Sequence, residues 1–550
     1  VNFMDNEWWR GGIFYQIYPR SFFDSNGDGI GDLYGITTKL EYVASLGVDA
    51  IWISPFYKSP MADFGYDVSD YRDVDPIFGV NEDFDALLQK AHNLGLRIII
   101  DMVLSHTSNK HPWFVESRTG PDNTKADWYV WADPKPDGSP PNNWQSVFGG
   151  PSWSFDTRRG QYYLHNFLKE QPDLNYHNPD VQKAALEECR YWLDRGVDGF
   201  RFDAINFLFH NRELKDNPSR EGIHGAVTQF EKKTPHNMQI HKHDITRPET
   251  LEFIKQIRSL MDQYPGTMTL GEIGDEEPYK TSAQYSDGNQ YLDTCYNTHF
   301  MSGQHKKFDS HRIKEPIKEF LKQPFDSWPS WAFSNHDVVR AVTRWGRIQG
   351  YERNPAFAKL LIALLTSLRG TAFIYQGDEL GLPEADIPFE KLQDPWGKYL
   401  WPEWQGRDGC RTPMPWHSDK KHAGFSDANQ TWLPVPDEHS ALAVDTQEDR
   451  PDSPLNFTRT FLKWREKNPV LKTGAIKFYD FNDEKILGFS RTLAGQNIFC
   501  LFNLCDEPKK ADLPVKGQDH IFNAAEQSGE HKDGIVTLPP FGMFYASFSD

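Results

Sequence analysis

Short apolar runs rich in β-branched and aromatic residues recur along this chain, separated by stretches whose hydrophobic positions repeat at helical spacing. The runs fall at residues 12–18, 50–54, 97–103, 199–203, 269–273, 297–300, 331–335 and 371–376. Helical patterns between them include 40–46, 83–94, 179–193 and 249–261, the third opened by Asn178 as N-cap and Pro179 at the first helical position. Eight strands alternating with helices predict an α/β fold, a parallel (β/α)8 TIM barrel. Polar residues at its strand ends would converge on the C-terminal mouth.

The alternation is interrupted twice. After the third strand, a stretch rich in Pro, Gly, Trp and Asn (Pro134, Pro136, Gly138, Pro140, Pro141) predicts an inserted subdomain over 107–176. A second Pro/Trp-rich insertion follows the eighth strand, at about 380–453. From about Gly474 the pattern becomes short runs at 476–478, 486–489, 498–502 and 544–548 without helical periodicity. These predict a C-terminal antiparallel β domain, a sandwich over 474–550. The barrel then comprises 1–106 and 177–473. A chain of 550 residues exceeds what one core holds, which agrees with this division.

Lys+Arg of 59 against Asp+Glu of 78 gives a net charge of −19, which argues against nucleic acid and anionic membranes as partners. A small neutral substrate is compatible with that balance, and the charge leaves monomer or dimer open. No apolar run approaches the ~20 residues that span a bilayer. The opening residues 1–7 carry Asp5 and Glu7 and lack a basic region with an apolar core, so no signal peptide is expected. Cys189, Cys295, Cys410, Cys500 and Cys505 are odd in number and show no C-x-x-C spacing, as in reduced thiols of a cytoplasmic protein.

The most informative stretch is Gly199-Phe200-Arg201-Phe202-Asp203. Positions two apart share a strand face, so the Arg201 cation lies beside the Asp203 carboxylate. A buried pair of this kind costs free energy unless matched, and it keeps the carboxylate ionised, as a covalent nucleophile requires. Alone, such a pair is more often a structural ion pair. Four other strand ends add polar groups: Asp101 with His106, Glu272, Asn335-His336-Asp337, and Asp378-Glu379; Asp63 and Tyr66 follow the second strand. So many like charges at one mouth point to a ligand or a reaction.

These motifs, in this order, resemble those of glycoside hydrolase family 13, the α-amylase family, over nearly the whole chain. Gln171-Pro172-Asp173-Leu174-Asn175 is similar to the signature of its oligo-1,6-glucosidase and α-glucosidase subfamily. The resemblance implies an exo-acting α-glucosidase that retains configuration through a covalent glucosyl-enzyme. Asp203 would be nucleophile, Glu272 general acid and base, and Asp337 the third carboxylate. His106 and His336 would bind hydroxyls of the same sugar, Arg201 would guard the nucleophile, and Tyr66 would form a stacking platform. Asp63 and Arg411 would grip the non-reducing end.

Asp24, Asn26, Asp28, Ile30 and Asp32 alternate oxygen ligands with glycines, as a calcium loop does, although an EF-hand would need Glu where Gly35 stands. Subfamily members carry Ca²⁺ or Mg²⁺ there, so one structural ion is expected. Ala204, after the nucleophile, is where the subfamily's α-1,6 enzymes carry Val. With Gly274 in place of the Trp of isomaltose-cleaving members, it points to α-1,4 bonds in short substrates such as maltose, with transglucosylation as a second outlet. Oligo-1,6-glucosidase and sucrose-active enzymes, hydrolase or isomerase, are the alternatives. A trehalose-phosphate hydrolase is disfavoured because no clear basic cluster awaits a phosphate. Non-catalytic transporter subunits of the same fold carry a membrane helix and have lost catalytic acids, unlike this chain. A hydrolase using metal-activated water would need clustered His and Asp ligands at the mouth.

Overall fold

The structure, a computed structural model, describes residues 5–221, 233–302 and 307–549. Residues 1–4, part of the start read above as unlike a signal peptide, lie outside the described residues. Eight parallel strands form one sheet: β1 (Ile13–Ile17), β2 (Ala50–Ile53), β3 (Arg97–Met102), β4 (Gly199–Phe202), β5 (Met268–Ile273), β6 (Thr294–Asn297), β7 (Ser330–Ala332) and β8 (Thr371–Tyr375). Their spatial order is β6-β5-β4-β3-β2-β1-β8-β7. The circuit closes between β6 and β7 through a single parallel bridge, Cys295 to Pro329, beside the Thr294 hydroxyl, which donates to the Trp328 carbonyl at 2.7 Å. The result is the expected TIM barrel.

Local chemistry explains the elements that carry the site. Helix α1 (Pro179–Arg195) starts where the Asn178 side chain accepts from the Asp180 amide, with Pro179 in the first turn. It stops at Gly196, in the left-handed region at φ 101°. The chain then enters β4 at Gly199, where a Cβ would collide with the Met268 carbonyl of β5. Register follows: Arg201 lies opposite Asp101 of β3, Gly271 opposite Phe202, and Glu272 opposite Tyr296 of β6.

Six of the eight expected strands overlap those observed closely; the seventh, expected at 331–335, is Ser330–Ala332, and the sixth shifts. Residues 297–300 were expected, but β6 is Thr294–Asn297, and His299–Met301 form a 3-10 turn. Phe300 supplied a strand-like signal because it is core, its ring 5.1 Å from Trp331 and 5.3 Å from Phe333.

The stretch after β3 holds a small antiparallel sheet of Trp131–Ala132, Trp153–Asp156 and Gln161–Leu164. Beyond β8 the chain forms short helices, including α2 (Pro395–Leu400). The C-terminal part has two antiparallel sheets of five and three strands, twice the four runs read from the sequence. Alternation along Gln496–Asn503 sends Phe499 and Leu501 into the core between the sheets, with Val536 and Leu538, while Cys500 and Phe502 join the main core. All five cysteines are free and buried. Among the described residues no helix is long and apolar enough to cross a membrane.

Candidate active site

The C-terminal mouth of the barrel opens into a cavity lined by both carboxylates and aromatic rings. Asp203, Glu272 and Asp337 line it together with Asp63, Tyr66, His106 and Ala204. These side chains come from the ends of β3, β4 and β5 and from segments after β2 and β7, spread over 275 positions of sequence between Asp63 and Asp337.

Arg201 is the hub of the floor and has no exposed surface. Its Nη1 donates to Asp101 Oδ1 at 3.0 Å and to Asp203 Oδ1 at 2.7 Å. Its Nη2 contacts Glu272 Oε2 and donates to the Tyr296 hydroxyl at 2.8 Å. The Trp52 ring lies 4.7 Å from the guanidinium. Burial opposes the charge on Arg201, but Asp101, Tyr296, Tyr66 and Asp203 hold it protonated well above the usual guanidinium range. One guanidinium therefore bridges two carboxylates facing the cavity and a third beneath them.

Behind the floor runs a buried relay. The Gln16 amide donates to His336 Nδ1 at 2.7 Å, His336 Nε2 meets the Tyr66 hydroxyl at 2.7 Å, and that hydroxyl donates to Asp101 Oδ2 at 2.9 Å. Burial keeps His336 neutral, pushing it well below the ordinary range despite the Asp337 charge. Both its nitrogens are thus engaged, and the ring is not part of the cavity lining. His106 does line the cavity, its Nε2 donating to the Tyr66 carbonyl at 2.8 Å, and burial lowers it as well.

The far end is organised by a second arginine, Arg407, which the sequence reading did not single out. Its Nη2 donates to Asp63 Oδ1 at 3.0 Å and its Nη1 to Asp337 Oδ1 at 3.1 Å. It also grips Asp394 through Nε at 2.9 Å and Nη2 at 2.8 Å. Arg411, the arginine expected beside Asp63, lies behind Asp337, donating to its Oδ1 at 3.0 Å and to the His336 carbonyl at 2.7 Å. Gln171 of the signature motif donates to Asp63 Oδ2 at 3.0 Å. Burial pushes the Asp63 carboxyl up to about 7, against Arg407 and Arg411. Burial also raises Asp337, but His336, Arg407, Arg411 and Arg201 outweigh it and hold that carboxyl below the usual range.

The opposite wall is apolar: Val147, Phe148, Phe167, Phe207 and Trp396. Phe148 and Trp396 pack 5.2 Å apart and flank Arg407 at 5.0 and 5.7 Å. They come from the insertions after β3 and β8, whose composition marked them only as irregular. Tyr296 was missed with its strand, since the misplaced β6 began one residue too late to contain it. Ala204 adopts a left-handed backbone, φ 40° and ψ 49°, at the cavity wall.

The loop of Asp24, Asn26, Asp28, Ile30 and Asp32 is separate from the cavity and packs on segment 425–430. Asp24 accepts from the Asn26, Gly27 and Gly29 amides, and Asp32 caps the next helix through the Gly35 amide. Burial and the neighbouring Asp24 and Asp32 charges raise Asp28. Among the described residues no three His, Cys, Asp or Glu side chains are gathered as a metal site. The donors are all oxygens, which suits a hard cation.

Residues 16–474 match the model of the alpha amylase catalytic domain. A probable alpha-glucosidase of Rhizobium meliloti is 52% identical over 98% of this chain and 97% of its own length. An oligo-1,6-glucosidase of Heyndrickxia coagulans is 36% identical over 95% of this chain and 97% of its own. Among solved structures, an alpha-glucosyl transfer enzyme superposes with a TM-score of 0.95 at 51% identity, covering 98% of this chain and 99% of that one.

Proposed function

Since this chain is a glycoside hydrolase that belongs to the α-amylase family, in the branch of its α-glucosidases and oligo-1,6-glucosidases, we propose that it is a retaining, exo-acting α-glucosidase preferring α-1,4 bonds. The observation that carries the mechanism is the Arg201 bridge: Asp203 on Nη1 and Glu272 on Nη2 of one guanidinium. Carboxyls sharing one guanidinium suit the ~5–5.5 Å separation of retaining enzymes rather than the ~6.5–9.5 Å that leaves room for an inverting water.

In this reading an Asp203 oxygen attacks the anomeric carbon while Glu272 protonates the departing glycosidic oxygen. The C–O bond to the leaving sugar breaks and a glucosyl ester on Asp203 forms. Glu272, now a carboxylate, takes a proton from water, which attacks the same carbon as the ester bond to Asp203 breaks, freeing the Asp203 carboxylate and glucose with its configuration retained. A sugar or alcohol hydroxyl in place of water gives transfer, and the alpha-glucosyl transfer enzyme at 51% identity supports that outlet. Asp337, held ionised by Arg407 and Arg411, would accept from sugar hydroxyls and favour the oxocarbenium-like transition state. The Asp63–Arg407 pair closes the far end, which supports an exo mode. Ala204 at the wall supports α-1,4 selectivity; α-1,6 cleavage is the second reading, favoured by the relative named an oligo-1,6-glucosidase.

We include one structural Ca²⁺ or Mg²⁺ held by Asp24, Asn26, Asp28, the Ile30 carbonyl and Asp32; its chemistry would be charge neutralisation of the loop alone. The free, buried thiols suit a reducing compartment, and the cytoplasm is the proposed location. The test is product analysis on maltose, isomaltose, sucrose, trehalose and starch with the anomer followed by NMR. Glucose released first as the α-anomer, fastest from maltose, is expected. The β-anomer would sink the retaining mechanism, and a preference for isomaltose or sucrose would replace the substrate.

A further inference from the structure

We propose that Asp394 is a positioning residue for sugar recognition: it sets the Arg407 guanidinium against Asp63 and Asp337 and ties that setting to the Trp396 wall. The inference rests on reading the Asp63–Arg407 end as the glucose end.

Asp394 has no exposed surface and is not part of the cavity lining. Its Oδ2 accepts from the Arg407 backbone amide at 2.7 Å and from Nε at 2.9 Å. Its Oδ1 accepts from Arg407 Nη2 at 2.8 Å and from the Trp396 amide at 3.2 Å, so the same carboxylate is the N-cap of α2. The Phe148 and Trp396 rings, packed on each other, both lie against the guanidinium but offer it no hydrogen-bond acceptor to fix its direction. The two-point grip of Asp394 supplies that direction and leaves Nη1 for Asp337 and part of Nη2 for Asp63. The backbone is built around the grip. A Cβ on Gly406, at φ +79°, would come within 2.6 Å of the Gly397 Cα and 2.7 Å of Asp394 Oδ2, so α2 lies directly on the segment carrying Arg407. Asp408 anchors Asp394 in turn, its Oδ2 accepting from the Gln393 and Asp394 amides at 2.6 and 3.1 Å.

Asp63 and Asp337 also pair with Arg407, at 3.0 and 3.1 Å, so Asp394 is not its sole counter-charge. Asp394→Asn therefore leaves Arg407 compensated by Asp63 and Asp337. Asn keeps a good helix cap and the side-chain volume but loses the charged grip.

The experiment compares wild type, Asp394→Asn, Arg407→Ala and the double variant for maltose kinetics and for glucose binding by calorimetry. Asp394→Asn is expected to raise KM and weaken glucose binding at least 10-fold while melting within a few degrees of wild type. The double variant should fall no further than Arg407→Ala alone. Additive losses, or unchanged glucose affinity in Asp394→Asn, overturn the proposal. Asp394→Ser, which also caps, is carried in parallel. If neither variant folds while Arg407→Ala does, Asp394 is a folding element and the proposal is likewise overturned. A wild type inert to maltose and without affinity for glucose overturns the α-glucosidase reading itself, a result visible before any variant is made.

Discussion

Arg201 and Arg407 organise the two ends of one cavity by different means. Arg201 sits on β4, its partners Asp101 and Glu272 on the adjoining strands β3 and β5, so strand register alone brings the group together. Arg407 sits in a loop, and its partners Asp63, Asp337 and Asp394 come from three other irregular segments. The strand-built hub holds the carboxylates to which the bond-making steps are assigned; the loop-built hub holds Asp63, assigned to the sugar end, and Asp337, assigned to sugar hydroxyls and the transition state. On these assignments the covalent step rests on barrel strands, and sugar recognition on loops that sequence change can rebuild.

Four substitutions and one treatment would break or sharpen that contrast. Asp203→Asn removes the strand-built nucleophile, and kcat on maltose should fall by about 10⁴-fold or more with the fold and glucose binding kept; near-normal turnover in a steady-state assay would refute the assignment. Arg407→Ala strikes the loop-built hub and should lower kcat/KM by roughly 10²-fold, with most of the loss in KM. A pure kcat loss there would erase the division of labour. Ala204→Val places a β-branched residue at φ 40° and should cost about 1–3 kcal/mol in denaturant unfolding. It should also shift the maltose-to-isomaltose rate ratio towards isomaltose, and an unchanged ratio would separate Ala204 from linkage choice.

Asp63 tests the loop-built hub through pH. Its folded carboxyl is pushed up to about 7, so it keeps its proton to higher pH than the unfolded chain does. It therefore adds stability at acid pH that is lost as pH rises from the unfolded value towards 7. Asp63→Asn should flatten that segment of the melting-temperature profile, and a profile parallel to wild type would contradict the shift. Chelation touches neither hub: EDTA should lower the melting temperature by a few degrees without changing initial rates. A large rate loss would join the Asp24–Asp32 loop to catalysis.

The same contrast governed how much could be read before the structure. Arg201 and Asp203 are two apart on a strand, a spacing that fixes which face they share, so their pairing was legible. Asp63 was legible as a partner for an arginine, but which arginine depends on how the 395–411 segment folds. The loop places Arg407 at the cavity and turns Arg411 behind Asp337, and no periodicity encodes that choice. Phe148 and Trp396 were hidden for the same reason. The resemblance implied a sugar-binding role for His336; that its ring nitrogens meet Gln16 and Tyr66, partners far away in sequence, is something no local pattern encodes. Tyr296 was lost with the displaced sixth strand, where an apolar Phe300 in a 3-10 turn imitated the pattern of a strand.

The closure of the barrel has a mechanical consequence for the site. Seven interfaces between neighbouring strands are continuous ladders, and the eighth, between β6 and β7, is one bridge at Cys295 and Pro329. Glu272 lies on β5, on one side of that seam, and Asp337 follows β7 on the other. With one bridge in place of a ladder, that seam is where separating two neighbouring strands breaks the fewest backbone pairings, and Glu272 and Asp337 stand on its two sides. On the proposed roles, the nucleophile and the acid then share the continuous arc of the ring, and the third carboxylate stands across its single stitch.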